Sequence, residues 1–299
     1  MEKFKLALAT DKAHPQLTKD DQILVDALHK AGIHPTAAVW DSDLNWSNFD
    51  AVLIRSTWDY YLSAKKYLDW TAKLDHLKIP LWNDSKIVRW NHDKAYLLEL
   101  REQGFAVVPT VKVIFESPNQ ILQMMAECDW KKAVVKPTIS GGSWKTFVIS
   151  SNSFPELSYD SGYELLIQPF LNSIQTEGEI SLIFFDKKLS HAVHKKPAPG
   201  EFRVQSEFGG KDSPIDAPAE ALKLAQKILD SVPHDLLYAR VDLVFHANAW
   251  LLMELELIEP HLFLASNRNA ANNLARAIQN RFVTSSVTKK FHQYQIETL

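Results

Sequence analysis

The chain has 299 residues, 46% of them hydrophobic and 23% charged, with a formal net charge of −3. This is the make-up of a folded, soluble protein of two or three domains; it excludes a disordered chain and supplies no overall electrostatic drive toward nucleic acid or an anionic membrane. One cysteine, Cys128, excludes a disulfide framework and a thiolate cluster, and without a secretory signal or an apolar run of membrane-spanning length the expected setting is cytoplasmic.

Phe4 to Thr10 reads as a strand and Lys19 to Lys30 as a helix, with Asp20 and Asp21 near its start and Gly32 past its end. Thr36 to Trp40 and Ala51 to Thr57 are short β-rich runs, Ser63 to Leu77 a helix, and Pro80 to Asn83 a further strand. Residues 1–84 therefore alternate as a small α/β unit with parallel strands. Asp84 and Asn91 read as caps of two helical pieces, the second running through Lys94 to about Gln103 and stopping at Gly104. Strands are expected at Phe105 to Val113 and Lys132 to Lys136 around a helix near Asn119 to Glu127. Thr146 to Ser150 and Tyr163 to Ile167 add two more, closing a second α/β block, residues 85–171. A hairpin follows from Glu179 to Phe185 and back through Leu189 to Lys195, around Asp186-Lys-Lys. The third block, 172–299, continues with a helix over Pro218 to Leu229, strand segments at Tyr238 to Phe245 and Trp250 to Glu259, and a last helix near Asn267 to Phe282. The tail after Val283 is too polar to assign.

Trp250 to Glu259 carries the most chemistry. Glu254 and Glu256 lie two apart in an apolar strand and so share a face, and Tyr238 to Phe245 repeats the device with Arg240 and Asp242. Charge in such ribbons needs a partner or a ligand, and three carboxylates beside an Arg suit Mg²⁺ under a polyphosphate, although an exposed sheet face stitched by salt bridges has the same spacing. Lys136 ends an apolar strand before Pro-Thr-Ile-Ser140-Gly141-Gly142-Ser-Trp144, a loop whose amides can gather phosphate oxygens; it is not a P-loop, and a surface turn fits as well. Gln168-Pro169-Phe170-Leu171 ends a strand between two blocks and could present backbone groups to an adenine edge, or simply link domains. Period-two spacing recurs at Glu177, Glu179 and Ser181, at His194 and Lys196, and at Arg203 and Gln205; neighbouring strands would merge these into one ionised face of mixed sign. Arg55, Ser56, Thr57 and Asp59 end a first-block strand, where open α/β sheets place ligand contacts, although Arg55 and Asp59 could instead pair with each other. Arg203 could grip a carboxylate bidentately. The histidines form no zinc motif.

Taken in order, Lys94, Lys136 with its Gly-rich loop, Gln168 to Leu171, Arg240/Asp242 and Glu254-x-Glu256 resemble the ATP-grasp superfamily in its glutathione synthetase-like branch. Ile54 to Asp59, Gly200 to Gln205 with Gly209-Gly210, and Glu256 to Pro260 are similar to stretches of the D-cycloserine synthetase group and its uncharacterised relatives. The likeness spans about residues 50–265. It implies α+β lobes in an ATP-grasp fold: an N-terminal preATP-grasp-like α/β domain (1–84), a central lobe (85–171) and a C-terminal lobe with the metal-binding strands (172–299), with nucleotide between the last two. Lys94, Lys136, Ser140, Gly141 and Gly142 would then touch ATP phosphates, and Gln168, Pro169, Phe170 and Leu171 would form the adenine hinge. Asp242, Glu254 and Glu256 would hold Mg²⁺, with Mn²⁺ admitted. Arg240, with Lys196, would serve the transferred phosphoryl, and Arg55, Ser56, Thr57, Asp59, Arg203 and Gln205 the substrate. Many ATP-grasp ligases carry Glu-x-Asn where this chain has Glu-x-Glu, which adds charge without removing an oxygen ligand. The implied activity is an ATP-dependent carboxylate–amine or intramolecular cyclo-ligase working through an acyl-phosphate. Its partners would be a small amino acid or peptide-like carboxylate and an amine, with no nucleic acid or membrane and a homo-oligomer left open. The alternative is a non-catalytic ATP-dependent binding module, which could dispense with Arg240.

Overall fold

The computed structural model describes residues 4–151 and 153–282, so the polar tail after Val283 lies outside the described residues. Three sheets organise the chain. The first holds β1 (Lys5–Thr10), β2 (His34–Val39), β3 (Ala51–Ser56) and β4 (Leu81–Trp82) in the order β2-β1-β3-β4, all parallel, with α1 (Lys19–Lys30) and α2 (Ala64–His76) as crossovers. Thr18 caps α1 by accepting the Asp21 amide at 3.1 Å. Next come α3 (Ser85–Asn91) and α4 (Tyr96–Glu102). Asp84 caps α3 as expected, its Oδ1 accepting from the Lys86 and Ile87 amides. Asn91 does not cap α4. It ends α3 with a buried side chain, while the Asp93 carboxylate accepts the Ala95 amide at 2.8 Å.

The second sheet is antiparallel, with β5 (Val111–Ile114), β6 (Lys132–Pro137), β7 (Phe147–Ser150) and β8 (Glu164–Pro169) in the order β5-β8-β6-β7, covered by α5 (Pro118–Glu127). The strand expected from Phe105 is shorter. Pro109 has no N–H to continue a ladder, and residues 106–108 bond to a strand of the third sheet instead. After the short α6 (Asn172–Thr176), the third sheet collects β9 (Glu179–Phe185), β10 (Lys188–Lys196), β11 (Lys211–Ile215), β12 (Tyr238–His246) and β13 (Ala249–Glu256) in the order β11-β10-β9-β12-β13. Its two tight hairpins turn at Asp186-Lys187 and Ala247-Asn248, with positive φ at both central residues.

Packing cuts across the three sequence blocks. α3 and α4 give Ile87, Tyr96, Leu97 and Leu100 to one face of the third sheet, beside α7 (Ala219–Ser231). The last helix, α8 over residues 270–282, buries Leu274 and Ile278 with Leu6, Leu8 and Leu24 of the first unit. Apolar burial thus seals one face of the third sheet, while on the other Ile183, Phe185 and Val193 pack with the first unit and the remainder carries the charge.

Candidate active site

That second face is built by register. Asp242 pairs with Glu254 on one side and Ser181 on the other, Arg240 with Glu256, and Lys195 with Glu179. The Asp242–Ser181 pairing lies in a regular ladder, whereas the pairings of Glu254, Glu256 and Lys195 each depend on a one-residue irregularity. Near its turn the β12–β13 ladder pairs His246 with Ala249 and Leu243 with Leu252, then shifts between Asp242 and Leu243. A regular ladder would set Met253 opposite Asp242 and send both glutamates to the apolar face; the extra residue returns them to the Asp242 side. The result is three carboxylates, Asp242, Glu254 and Glu256, with an oxygen of each within 4.8 Å of the others.

The strand that carries two of them is an edge strand, yet its outer edge is bonded. Asn91 Nδ2 donates to Leu255 O at 2.9 Å and Asn91 Oδ1 accepts the Leu257 amide at 2.8 Å. The Tyr96 hydroxyl accepts the Leu255 amide, and Asn83 Nδ2 donates to Tyr238 O and Leu257 O. Val108 N and Ala106 O bond to Leu252. Side chains of 83–96 and the backbone of 106–108 thus replace a neighbouring strand and fix the Glu-x-Glu pair.

Three cations pair with the carboxylates, and a fourth, Lys136, lies near Glu254. Arg240 Nε and Nη2 donate to Asp242 at 3.0–3.2 Å, and Nη2 also pairs with Glu256. Lys195 pairs with Glu179 and reaches Asp242 Oδ2 at 3.1 Å. Lys94 Nζ lies 2.9 Å from Glu254 and donates to Ser140 O at 2.5 Å, tying the start of α4 to the Gly/Ser loop. Lys136 is half-buried. Burial pulls its pKa below the usual lysine range, and Lys94 adds to this against the pull of Glu254. Burial works to raise the Asp242 carboxyl, but Arg240 and Lys195 outweigh it and hold it down at about 2. Burial lifts Glu256 to about 7 despite Arg240, and lifts Glu259 to about 8 with help from Glu256. An all-oxygen, multiply charged donor set of this span fits a hard divalent cation such as Mg²⁺, and the lysines and Arg240 fit phosphate oxygens.

At the end of β8, where the adenine hinge is expected, Phe170 N donates to Lys132 O, the Lys132 ammonium lies 3.5 Å from the Phe170 ring centroid, and Phe202 stands 6.3 Å from that ring. The Gln168 side chain turns inward to Thr110 at 2.9 Å, Pro169 pairs with Ala133, and Leu171 packs with Val108 and Val244. Gly142 has φ +54, and a Cβ on Gly141 would stand 3.0 Å from the Tyr61 ring.

Several expected site residues lie elsewhere. Lys196 is exposed and pairs with Lys211, and the lysine on the charged face is Lys195. Arg55 is buried against Asp21 at 2.8 Å and Pro260 O at 3.2 Å, not against Asp59, which accepts from Trp40 Nε1 at 2.7 Å. Ser56 and Thr57 are fully buried; their hydroxyls bond Thr10 and Tyr67, so they are internal and not cleft-facing. Arg203 does grip a carboxylate, that of Glu201, and stacks on Phe208 at 3.6 Å. Gln205 shares that loop, its backbone oxygen accepting from Phe208 and Gly210. Sequence reasoning did not single out Trp58, whose indole Nε1 donates to Glu259 O at 2.9 Å; its place beside Asp59 at a strand end was the available signal.

Residues 6–83 match the family model described as D-cycloserine synthetase DcsG, N-terminal domain. Over 298 residues the chain is 30% identical to the cycloserine biosynthesis protein DcsG of Streptomyces lavendulae, covering 92% of this chain and 98% of that one. It is similar to the crystal structure of D-cycloserine synthetase DcsG with a TM-score of 0.80 and 28% identity, covering 93% and 99% of the two chains. The D-alanine–D-alanine ligase of Bacillus anthracis shares the fold at 15% identity, with a TM-score of 0.66 and coverage of 95% and 99%.

Proposed function

Because this chain belongs to the ATP-grasp superfamily, in the glutathione synthetase-like branch and close to D-cycloserine synthetase, we propose that its acyl-phosphate chemistry acts on a small amino acid or peptide-like carboxylate. The amine it joins is in a second molecule or in the same one. The observation that carries the reading is the floor of the third sheet, where Asp242, Glu254 and Glu256 converge under Arg240, Lys94 and Lys195.

Lys94, Lys136 and the amides after Ser140 suit the ATP phosphates, and the hinge at Phe170 suits the adenine. Asp242, Glu254 and Glu256 would hold Mg²⁺, which supplies charge neutralisation along the phosphates when bound. Arg240 faces the γ-phosphoryl as it passes to the substrate carboxylate, stabilising charge that spreads over the equatorial oxygens; this is positional and electrostatic work and needs no protein nucleophile. The loops over 138–144 and 197–200 exclude water, so that amine and not water meets the acyl-phosphate. An ADP-release screen of amino acids, dipeptides and ureido amino acids, singly and in pairs, with mass analysis of products, tests the reading. Turnover of one compound with loss of water identifies cyclisation, an obligatory pair identifies intermolecular ligation, and no ADP from any carboxylate with ATP-binding protein defeats the substrate class.

A further inference from the structure

We propose that His14, held by Asp11, is the general base that takes the proton from the attacking amine; the role rests on the ligase reading above. Asp11 directly follows β1 and is 2% exposed. Its Oδ1 accepts the His14 amide at 2.8 Å and lies 2.8 Å from His14 Nδ1, while Oδ2 accepts the Trp58 amide at 3.1 Å. A carboxylate on Nδ1 requires the proton there and leaves the lone pair on Nε2. None of the described residues hydrogen-bonds to that nitrogen, and the side chain is 36% exposed.

The pair stands at the carboxyl ends of β1 and β3, where open parallel sheets meet their ligands. The His14 ring lies edge-on to Trp58 with centroids 5.1 Å apart. The same indole donates to Glu259 O and lies 6.4 Å from the His261 ring, and His261 O accepts from Arg240 Nη1 at 3.2 Å. One indole therefore connects the Asp11–His14 pair to the wall of the phosphoryl site. The charged groups near the pair include Asp59 just past the end of β3, whose carboxyl is pushed up by burial and by Asp11; across Trp58 stand Glu259 and His261, with Asp20 3.6 Å from His261.

The chemistry calls for such a group. When the amine attacks the acyl carbon, an N–C bond forms, the C–O bond to the phosphoryl breaks, phosphate leaves with the electron pair, and the nitrogen must shed a proton. Lys94, Lys195 and Arg240 are held as cations by their carboxylates, and Asp242, Glu254 and Glu256 are committed to those cations and to metal. His14 Nε2 takes the proton, and Asp11 stabilises the imidazolium that results.

Hydroxylamine, neutral at neutral pH, traps an acyl-phosphate as hydroxamate without needing a base. With a carboxylate that supports ADP release, the ratio of amide to hydroxamate is measured for the parent, His14→Gln, Asp11→Asn and Glu259→Gln. His14→Gln is expected to lower that ratio by roughly 10²-fold or more and Asp11→Asn by less. A ratio within about threefold of the parent for His14→Gln, or a loss confined to Glu259→Gln, overturns the assignment. Imidazole ¹⁵N shifts of the parent, assigned with His14→Gln, need no substrate. A ring with its proton on Nδ1, perturbed by Asp11→Asn, is expected, and an Nε2-protonated ring overturns the proposal. If no carboxylate releases ADP or yields hydroxamate, the substrate reading fails while this tautomer result still stands for or against His14.

Discussion

Lys195 and Lys196 are adjacent and chemically identical, yet one sits between Glu179 and Asp242 and the other faces outward. A regular two-residue hairpin that pairs Phe185 with Lys188 would bring His194 opposite Glu179 and carry Lys196 onto the same face. The ladder instead shifts between Leu189 and His191, so Lys195 arrives opposite Glu179. Composition and parity made a charged face legible, but the skipped residue that chooses its lysine has no sequence signature. The difference is measurable. Lys195→Met strips buried Glu179 of its cation and leaves Asp242 to Arg240 alone; it should cost about 3–5 kcal/mol, whereas Lys196→Met should stay within about 0.5 kcal/mol. Urea unfolding of both variants checks this, and equal midpoints would contradict the register. Glu256→Gln keeps size but removes a charged oxygen donor. Its Mg²⁺-dependent ATP affinity, read by titration calorimetry, should fall by more than the roughly 10–100-fold typical of residues that only orient metal ligands.

Strand β13 shows how an element is held for a purpose that its own sequence does not reveal. Its alternation announces Glu254 and Glu256, but the partners of its outer edge lie 159 to 174 residues earlier in the chain, at Asn83, Asn91 and Tyr96. Asn91 reads as a cap because Asn commonly is one; only the tertiary fold shows that its amide serves backbone groups on both sides of Glu256. Asn91→Ala should leave the Leu255 carbonyl and Leu257 amide without that partner, at about 1–3 kcal/mol for each group, and weaken Mg²⁺-dependent nucleotide binding as the glutamates lose their anchor. Denaturant melts paired with nucleotide titration check both effects. The β9–β10 bulge has a matching tie, since His191 Nε2 donates to Leu262 O at 2.9 Å and Ser190 Oγ lies 3.0 Å from Nδ1. Burial pushes the His191 imidazole below its ordinary 6.5, although the Leu262 and Phe263 carbonyls oppose it. The unfolded chain therefore binds this proton more readily. The stability due to a neutral His191 is fully present above pH 6.5 and is lost as pH falls through the lowered folded value. Melting temperatures between pH 7.5 and 5.5 should drop more steeply in the parent than in His191→Gln.

At the scale of the whole molecule, the elements of the three sheets are legible from local signals: alternation with crossovers in the first, capped helices and short strands around the second, tight hairpins in the third. Their assembly is not, because α8 packing on the first unit and α3–α4 packing on the third sheet depend on contacts with no local pattern. The Gly/Ser loop of the second sheet also meets the first unit. Trp144 lies 5.3 Å from Tyr61 ring to ring, and Lys94 ties the loop's Ser140 carbonyl to the carboxylate floor. The loop is therefore set by two neighbours, one from the first unit and one from the site itself, and Gly141 is the position where the first comes closest. A Cβ there would stand 3.0 Å from Cδ1 and Cε1 of Tyr61, so Gly141→Ala must push the ring or the loop away. Because the contact is peripheral to the cores, the substitution should leave the melting temperature within a few degrees while lowering the rate of ADP release, the closed loop being harder to reach. Removing the obstruction tests the cause: Tyr61→Ala alone loses a wall of the loop, whereas Tyr61→Ala combined with Gly141→Ala should show a smaller combined loss than the two single effects added. That non-additivity, about 0.5–3 kcal/mol in a double-mutant cycle on the turnover rate, is the sign of direct contact during catalysis. Strictly additive losses would mean that the loop works without touching Tyr61, and that the first unit contributes to the reaction only through Trp58 and the strand ends beside it.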